Sequence, residues 1–143
     1  MRKTPLRRKT KLKSQKASKK KLSLTKLKKK LWEECRRIIR ARDGNVCYTC
    51  GKTELVGSDW HTGHFITSSV CSAEMRYDLG NLASQCSFCN IHRSGNWPAY
   101  EAHLIRDYGG DFPANLKRRN EETKGKQYDS LWYLSKIEEY KKL

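Results

Sequence analysis

Cys47-Tyr48-Thr49-Cys50-Gly51 and Cys86-Ser87-Phe88-Cys89 are the two stretches that decide how this chain folds. In each, a two-residue gap lets two thiolates point at one ion from a tight turn, and two such turns complete a tetrahedral Zn²⁺ site. Gly51 follows the second ligand, as such a turn expects. Disulfides are the rival use of paired cysteines, but nothing suggests export, since the basic N-terminus lacks the apolar stretch of a secretory signal. A redox pair would need only one Cys-x-x-Cys. With all four ligands from protein the site is closed, so the zinc is predicted to be structural and catalysis must lie elsewhere. Cys35 falls on the apolar face of a predicted helix and reads as a core thiol; no role is assigned to Cys71.

Outward from the cysteines the chain reads as mixed helix and strand. Leu27, Leu31, Cys35, Ile38 and Ile39 recur at helical spacing, and Asp43-Gly44-Asn45 stops the pattern, which predicts a helix over 25–42. Residues 46–52 form a tight turn, 60–67 a short strand and 68–80 a loop. Pro98, after Asn96-Trp97, opens a helix carrying Tyr100, Leu104, Ile105 and Tyr108, ended by Gly109-Gly110. A short helix follows Pro113. A last helix over 128–142 presents Leu131, Trp132, Leu134, Ile137 and Tyr140, a stripe that either packs on the first helix or forms a dimer interface; packing suits a small domain better.

Charge is distributed unevenly. The chain has 143 residues and a formal net charge of +16. The first 30 residues hold 15 Lys or Arg and no acid, and the rest is close to neutral. Such a block predicts a polyanionic partner, nucleic acid first, and argues against an ordinary small-metabolite enzyme. Residues 1–24 read as a disordered basic arm and 25–143 as the folded domain, with its core at 45–110. In the arm, Arg7, Arg8, Lys9, Lys11, Lys13, Lys19, Lys20 and Lys21 are candidates for phosphate contact without sequence readout; a solubilising tail and a localisation signal are the other readings. No apolar run approaches the ~18 residues of a membrane span.

Between and after the zinc halves lie Trp60-His61-Thr62-Gly63-His64-Phe65, Arg76-Tyr77-Asp78-Leu79-Gly80-Asn81, then Asn90, His92, Arg93 and Ser94-Gly95-Asn96. A structural zinc knuckle has no need of these His and Asn residues, whereas phosphodiester hydrolysis does. A neutral His deprotonates water near pH 7, an Asn amide orients its ring, and a divalent cation stabilises charge on the phosphate and leaving oxygen.

These elements resemble the HNH, or His-Me finger, nucleases. The likeness is greater to the phage NinG/Rap recombination proteins, which cut branched DNA. It rests on Cys47-x-x-Cys50, Gly63-His64, Arg76-Tyr77, Asn81-x-x-x-Gln85-Cys86-x-x-Cys89-Asn90 and Ser94-Gly95-Asn96. The resemblance implies a zinc-stapled ββα core within an α+β fold, flanked by helices. It implies a metal-dependent endonuclease acting on Holliday junctions or D-loops in the cytoplasm of a bacterial host, with two symmetric cuts favouring a homodimer. His64 would be the general base on the first strand. Asn81 would orient His64 or brace the following loop. Asn90, opening the helix after the zinc knuckle, would bind the catalytic Mg²⁺ or Mn²⁺. Many HNH enzymes place an Asp or His ligand directly before the base, where this chain has Gly63. Alternation along a strand puts His61 on the face of position 63, as a substitute ligand; His92 is another candidate.

Each residue also has a structural reading. His64 serves equally as a half-buried His, Asn81 as a turn residue and Asn90 as a helix cap. Arg76, His92 and Arg93 are candidate phosphate contacts, and His103 reads as a helix residue without a ligand role. Trp60, Phe65, Tyr77, Phe88 and Trp97 either stack on unpaired bases or pack around the zinc. Two functional alternatives stand beside the branched-DNA nuclease: an HNH enzyme nicking duplex DNA, and a zinc-stabilised module that binds DNA or RNA without catalysis.

Overall fold

The computed structural model describes residues 22–143; the arm cations from Arg7 to Lys21 lie outside the described residues. The first helix, α1, spans Leu24–Asp43, with Ser23 Oγ accepting from the Lys26 amide at its start and the Gly44 N–H returning to the Arg40 carbonyl at its end. Its stripe of Leu27, Leu31, Cys35 and Ile39 is fully buried, as the spacing predicts.

The last helix, α4 (Ser130–Tyr140), covers that stripe with Tyr133, Ile137 and Tyr140, and Tyr77 and Leu82 complete the cluster. Of the two readings of its apolar residues, packing on α1 is the one observed, but the phase differs. Leu131 is 72% and Leu134 42% exposed, because the buried line runs at spacings of four and three from Tyr133. Arg37 Nη2 locks α1 to α4 by donating to the Tyr140 carbonyl at 2.8 Å, and the Tyr140 hydroxyl ties α4 to the 68–80 loop by donating to the Tyr77 carbonyl at 2.7 Å.

Strand β1 (Trp60–His64) is shorter than predicted. After His64 the chain turns onto Asn81: Phe65 N donates to its backbone carbonyl and Ile66 N to its Oδ1. The partner is β2 (Leu82–Cys86), antiparallel, with Gly63 opposite Ala83 and His61 opposite Gln85. Every residue of β2 is buried. The C-terminus of α1 grips this strand. Arg42 donates to the carbonyls of Leu79 and Leu82, and Asp43 Oδ2 accepts the Ser84 amide at 2.8 Å. The loop over 68–80 is irregular apart from short 3₁₀ turns at Met75–Tyr77 and Leu79–Asn81.

After β2 the chain makes a single π-helical turn, Phe88–His92. It then enters α2 (Trp97–Tyr108), with Pro98 in the first turn and Gly109 at φ 97° ending it. Asn90 therefore sits inside the π turn and does not open the longer helix, because residues 93–96 reverse the chain before α2 starts. Ser94, Gly95 and Asn96 all take positive φ. The short helix expected after Pro113 is three turns long, α3 (Phe112–Thr123). It buries Leu116 against Phe65, Met75, Ala83, Tyr100 and Leu104. The fold is α+β: four helices around one two-stranded sheet, among the described residues. None of these helices is long and apolar enough to cross a membrane.

Candidate functional site

The four paired cysteines converge. Their sulfurs lie within 4.8 Å of one another, and the Cys50 and Cys86 sulfurs are 3.8 Å apart. Sulfurs at ~2.3 Å around tetrahedral zinc stand about 3.8 Å from each other, so the donor set fits that ion. The Cys50 and Cys86 thiols are pushed up, chiefly by burial, but donors approach the sulfurs. The Cys89 amide donates to Cys86 Sγ at 3.4 Å, Asn96 Nδ2 reaches Cys89 Sγ at 3.6 Å, and Thr49 Oγ1 lies 3.4 Å from Cys47 Sγ. Burial pushes the Cys47 thiol up, but hydrogen bonds from Thr49 and neighbouring backbone together outweigh it and lower it to about 6. Asp59 steadies the second turn by accepting from the Ser87 amide and hydroxyl. Outside this cluster, Cys35 donates to the Tyr77 carbonyl and is pushed up to about 12, chiefly by burial. Cys71 packs beside the second core cluster.

His64 ends β1. Its Nε2 lies 3.0 Å from the Arg76 carbonyl oxygen. A carbonyl only accepts, so Nε2 carries the proton and Nδ1 keeps the lone pair; no described residue hydrogen-bonds to Nδ1. The ring stacks on Trp32 of α1, centroids 5.3 Å apart and planes 3° from parallel. Burial, helped by the Arg76 charge, lowers the imidazole to about 4, so the ring is neutral at pH 7. It borders a cleft of about 370 Å³ that Trp32, Thr62, Ser68, Asn90 and Gly95 also line. A neighbouring depression brings Lys28, Lys29 and Arg76 to the same ring.

Asn90 and His61 meet directly. His61 Nε2 lies 2.9 Å from the Ser58 carbonyl oxygen, and Asn90 Nδ2 lies 2.9 Å from His61 Nδ1. The Ser58 carbonyl makes Nε2 the donor, so Nδ1 accepts from Asn90 and both His61 nitrogens are engaged. Asn90 Oδ1 is left facing Gly63. A Cβ at position 63 would stand 3.0 Å from that oxygen and 1.9 Å from Gln85 Oε1, so no side chain fits there. Tyr100 closes the far side, its hydroxyl donating to the Gly63 carbonyl at 3.3 Å.

Asn81 is fully buried. Its Oδ1 accepts from the Ile66 amide, and its Nδ2 donates to the carbonyls of Ile66 and Met75. It braces the loop that carries the Arg76 carbonyl and makes no hydrogen bond to His64. Arg76 itself donates to the Ser68 carbonyl across that loop. His92 and Arg93 are exposed and gather on Phe88, Arg93 at 5.4 Å from its ring. His103 Nδ1 bonds the Tyr48 carbonyl at 2.6 Å. Among the aromatic candidates, Phe65 and Tyr77 are core, Trp60 lies under Arg40, and Phe88 and Trp97 are 55% and 43% exposed. Sequence reasoning missed Trp32, whose place on α1 gives no sign of its partner, and the side-chain role of Gln85, whose only signal was its place before Cys86.

A four-cysteine cluster able to hold a metal such as zinc, stapling a two-stranded hairpin that carries His64 near Asn90, defines a class of small α+β proteins with a metal-knuckle core. The particular family follows from comparison: the profile described as Bacteriophage Lambda NinG protein matches residues 1–142, and the chain belongs to that family. Similar curated proteins, each named Protein ninG, come from Escherichia phage 933W and Salmonella phage P22, both 38% identical over 72 residues, and Escherichia phage lambda, 36% identical over 72 residues. Each match covers 50% of this chain and 34% of the relative, so the chain matches about a third of those proteins' length. No solved structure matches it significantly.

Proposed function

We propose that the chain is a metal-dependent DNA endonuclease of the HNH kind, hydrolysing phosphodiester bonds in branched DNA such as Holliday junctions and D-loops. The observation that carries this reading is the state of His64. Its Nε2 proton is committed to the Arg76 carbonyl, its Nδ1 has no hydrogen-bond partner among the described residues, and its ring borders the cleft that Asn90 also lines; a general base needs such a free lone pair.

In this reading His64 Nδ1 takes the proton of a water in the cleft as that water attacks phosphorus in line. The P–O3′ bond breaks and the 3′ oxygen takes a proton from solvent, giving 5′-phosphate and 3′-hydroxyl ends. Trp32 holds the imidazole plane, and Asn81 holds the loop whose carbonyl fixes its tautomer. Mg²⁺ or Mn²⁺, held through Asn90, would supply charge stabilisation for the phosphate and the departing oxygen. The zinc staples β2 and the π turn to the 47–50 turn, which fixes Asn90 against β1. Arg76, Lys28 and Lys29 border the His64 depression and would meet phosphates, with the N-terminal arm adding non-specific affinity. Family membership supports the branched substrate only through the phage recombination resemblance, which also suggests a homodimer acting in a bacterial host cell.

A second reading, a zinc-stabilised binding module without catalysis, draws on Gly63, which stands where many HNH enzymes carry a metal ligand. A duplex-nicking HNH enzyme is the third. Cleavage of a labelled four-way junction, a matched duplex and a single strand, with Mg²⁺, Mn²⁺ or EDTA, separates them. Metal-dependent cutting of the junction above the duplex supports the proposal. Equal cutting of duplex moves the reading to the nicking enzyme, and no cutting despite tight binding moves it to the module.

A further inference from the structure

We infer that Gln85 supplies the metal ligand that Gly63 lacks, so that one divalent cation of the Mg²⁺/Mn²⁺ type is held jointly by Gln85 Oε1 and Asn90 Oδ1. The inference rests on the nuclease reading and assigns a ligand to its metal.

Gln85 lies in the middle of buried β2 with no exposed surface. Its Nε2 donates to the Gly95 carbonyl at 2.7 Å and to Thr49 Oγ1 at 3.1 Å. The Gly95 carbonyl cannot donate, so the amide cannot be turned over, and Oε1 must point the other way. There it has no hydrogen-bond partner, although it is fully buried. An amide oxygen left buried and unpaired keeps its full desolvation cost, and native interiors pair such groups unless something else claims them.

Oε1 lies against the face of Gly63 that carries no side chain. It stands 1.9 Å from where a Cβ would be, so the Gln85 oxygen occupies the space into which a side chain from position 63 would project. Asn90 Oδ1 faces the same point from 3.0 Å. Its orientation is fixed independently, by the chain from the Ser58 carbonyl through His61 to Asn90 Nδ2. Two amide oxygens, each locked by a different backbone carbonyl, thus converge over one glycine. Neutral oxygens are hard ligands and suit Mg²⁺ or Mn²⁺ over Zn²⁺. His61 becomes a positioning residue that aims Asn90. Thr49, which accepts from Gln85 and lies against Cys47, ties this ligand to the zinc knuckle.

The test is Mn²⁺ affinity of the zinc-loaded full chain, followed by electron paramagnetic resonance of free Mn²⁺. Gln85→Met keeps the length and removes the oxygen; it should weaken Mn²⁺ binding about tenfold or more with zinc content unchanged. Gly63→Asp combined with Gln85→Ala puts a carboxylate into the same space and should restore binding. In the unaltered protein, sub-stoichiometric Mn²⁺ should broaden the side-chain NH₂ signals of Gln85 and Asn90 before those of other amides, a measurement that needs no variant to fold. Wild-type affinity in folded Gln85→Met, or broadening that spares Gln85, overturns the inference. If the unaltered chain still cuts DNA in that case, the nuclease reading survives without this ligand. If the unaltered chain neither binds Mn²⁺ nor cuts, both fall.

Discussion

Replacing His64 by Phe should change how stability depends on pH. An unfolded His titrates near 6.5, whereas burial holds His64 down to about 4 in the folded chain. The cations around it, Arg76, Lys28 and Lys29, are of the same sign as a protonated ring and offer it no counter-charge. The folded pKa is depressed, so between these values the unfolded state binds the extra proton, and stability rises with pH. The contribution is fully present above 6.5 and is lost as pH falls toward 4. At ~1.4 kcal/mol per unit it amounts to about 3 kcal/mol over the whole window, and about 2 kcal/mol between pH 7 and pH 5. Phe keeps a ring to stack on Trp32 but cannot titrate. Urea unfolding of both proteins with saturating zinc, at steps from pH 7 to pH 5, isolates the term, because protonation of the cysteines affects both alike. The wild type should lose about 2 kcal/mol more than His64→Phe across that range. Parallel curves, or an NMR titration placing His64 near 6.5, would refute the burial argument and with it the claim that the ring is neutral by design of its pocket.

Three further outcomes follow from the same geometry. Removing zinc should unfold the domain, since the metal ties the 47–50 turn to β2 and the π turn through all four sulfurs, and structural zinc contributes on the order of 10 kcal/mol; tryptophan fluorescence during chelator titration reads this, with Cys47→Ser behaving like the chelated protein. Arg42→Ala frees the Leu79 and Leu82 carbonyls and the Asp43 carboxylate, and should cost about 2 kcal/mol in a denaturant midpoint measurement while leaving zinc bound. Deleting residues 1–21, which leaves the Ser23 cap of α1 in place, should make the dependence of DNA affinity on salt shallower, measured by fluorescence anisotropy; an unchanged slope means the arm does not touch phosphates.

The parts of the fold legible in the sequence are those where a local pattern coincides with a local constraint. The α1 stripe from Leu27 to Ile39 is periodic and becomes the buried face. Gly44, Pro98 and Gly109 punctuate where helices begin and end, and the two Cys-x-x-Cys spacings announce the four-sulfur cluster that the hairpin assembles. Strand β2 was not legible as a strand, because a segment buried on both faces shows no alternation. The stripe on α4 was misphased because Leu131 and Leu134 are apolar yet exposed, and only tertiary packing selects Tyr133. The length of α3 was hidden by a run of Lys, Arg, Asn and Glu in which Leu116 is the one large apolar residue buried, the other buried positions after it, Asn120 and Thr123, being polar. At the site, His64, Asn90 and His61 are brought together as neighbours, but their hydrogen-bond logic depends on the carbonyls of Ser58, Arg76 and Gly95, and backbone carries no sequence signal. Trp32 and Gln85 reach the site from other elements, through contacts that no spacing encodes.

The central claim is that His64 acts in chemistry and not in binding. The most direct measurement pairs the affinity of His64→Ala for a four-way junction with its single-turnover cleavage rate in Mg²⁺. Affinity should be unchanged and the rate reduced about 10²- to 10⁴-fold, the usual loss when a general base is removed. Tight junction binding by both proteins, with no cleavage by the unaltered chain in either Mg²⁺ or Mn²⁺, would contradict it.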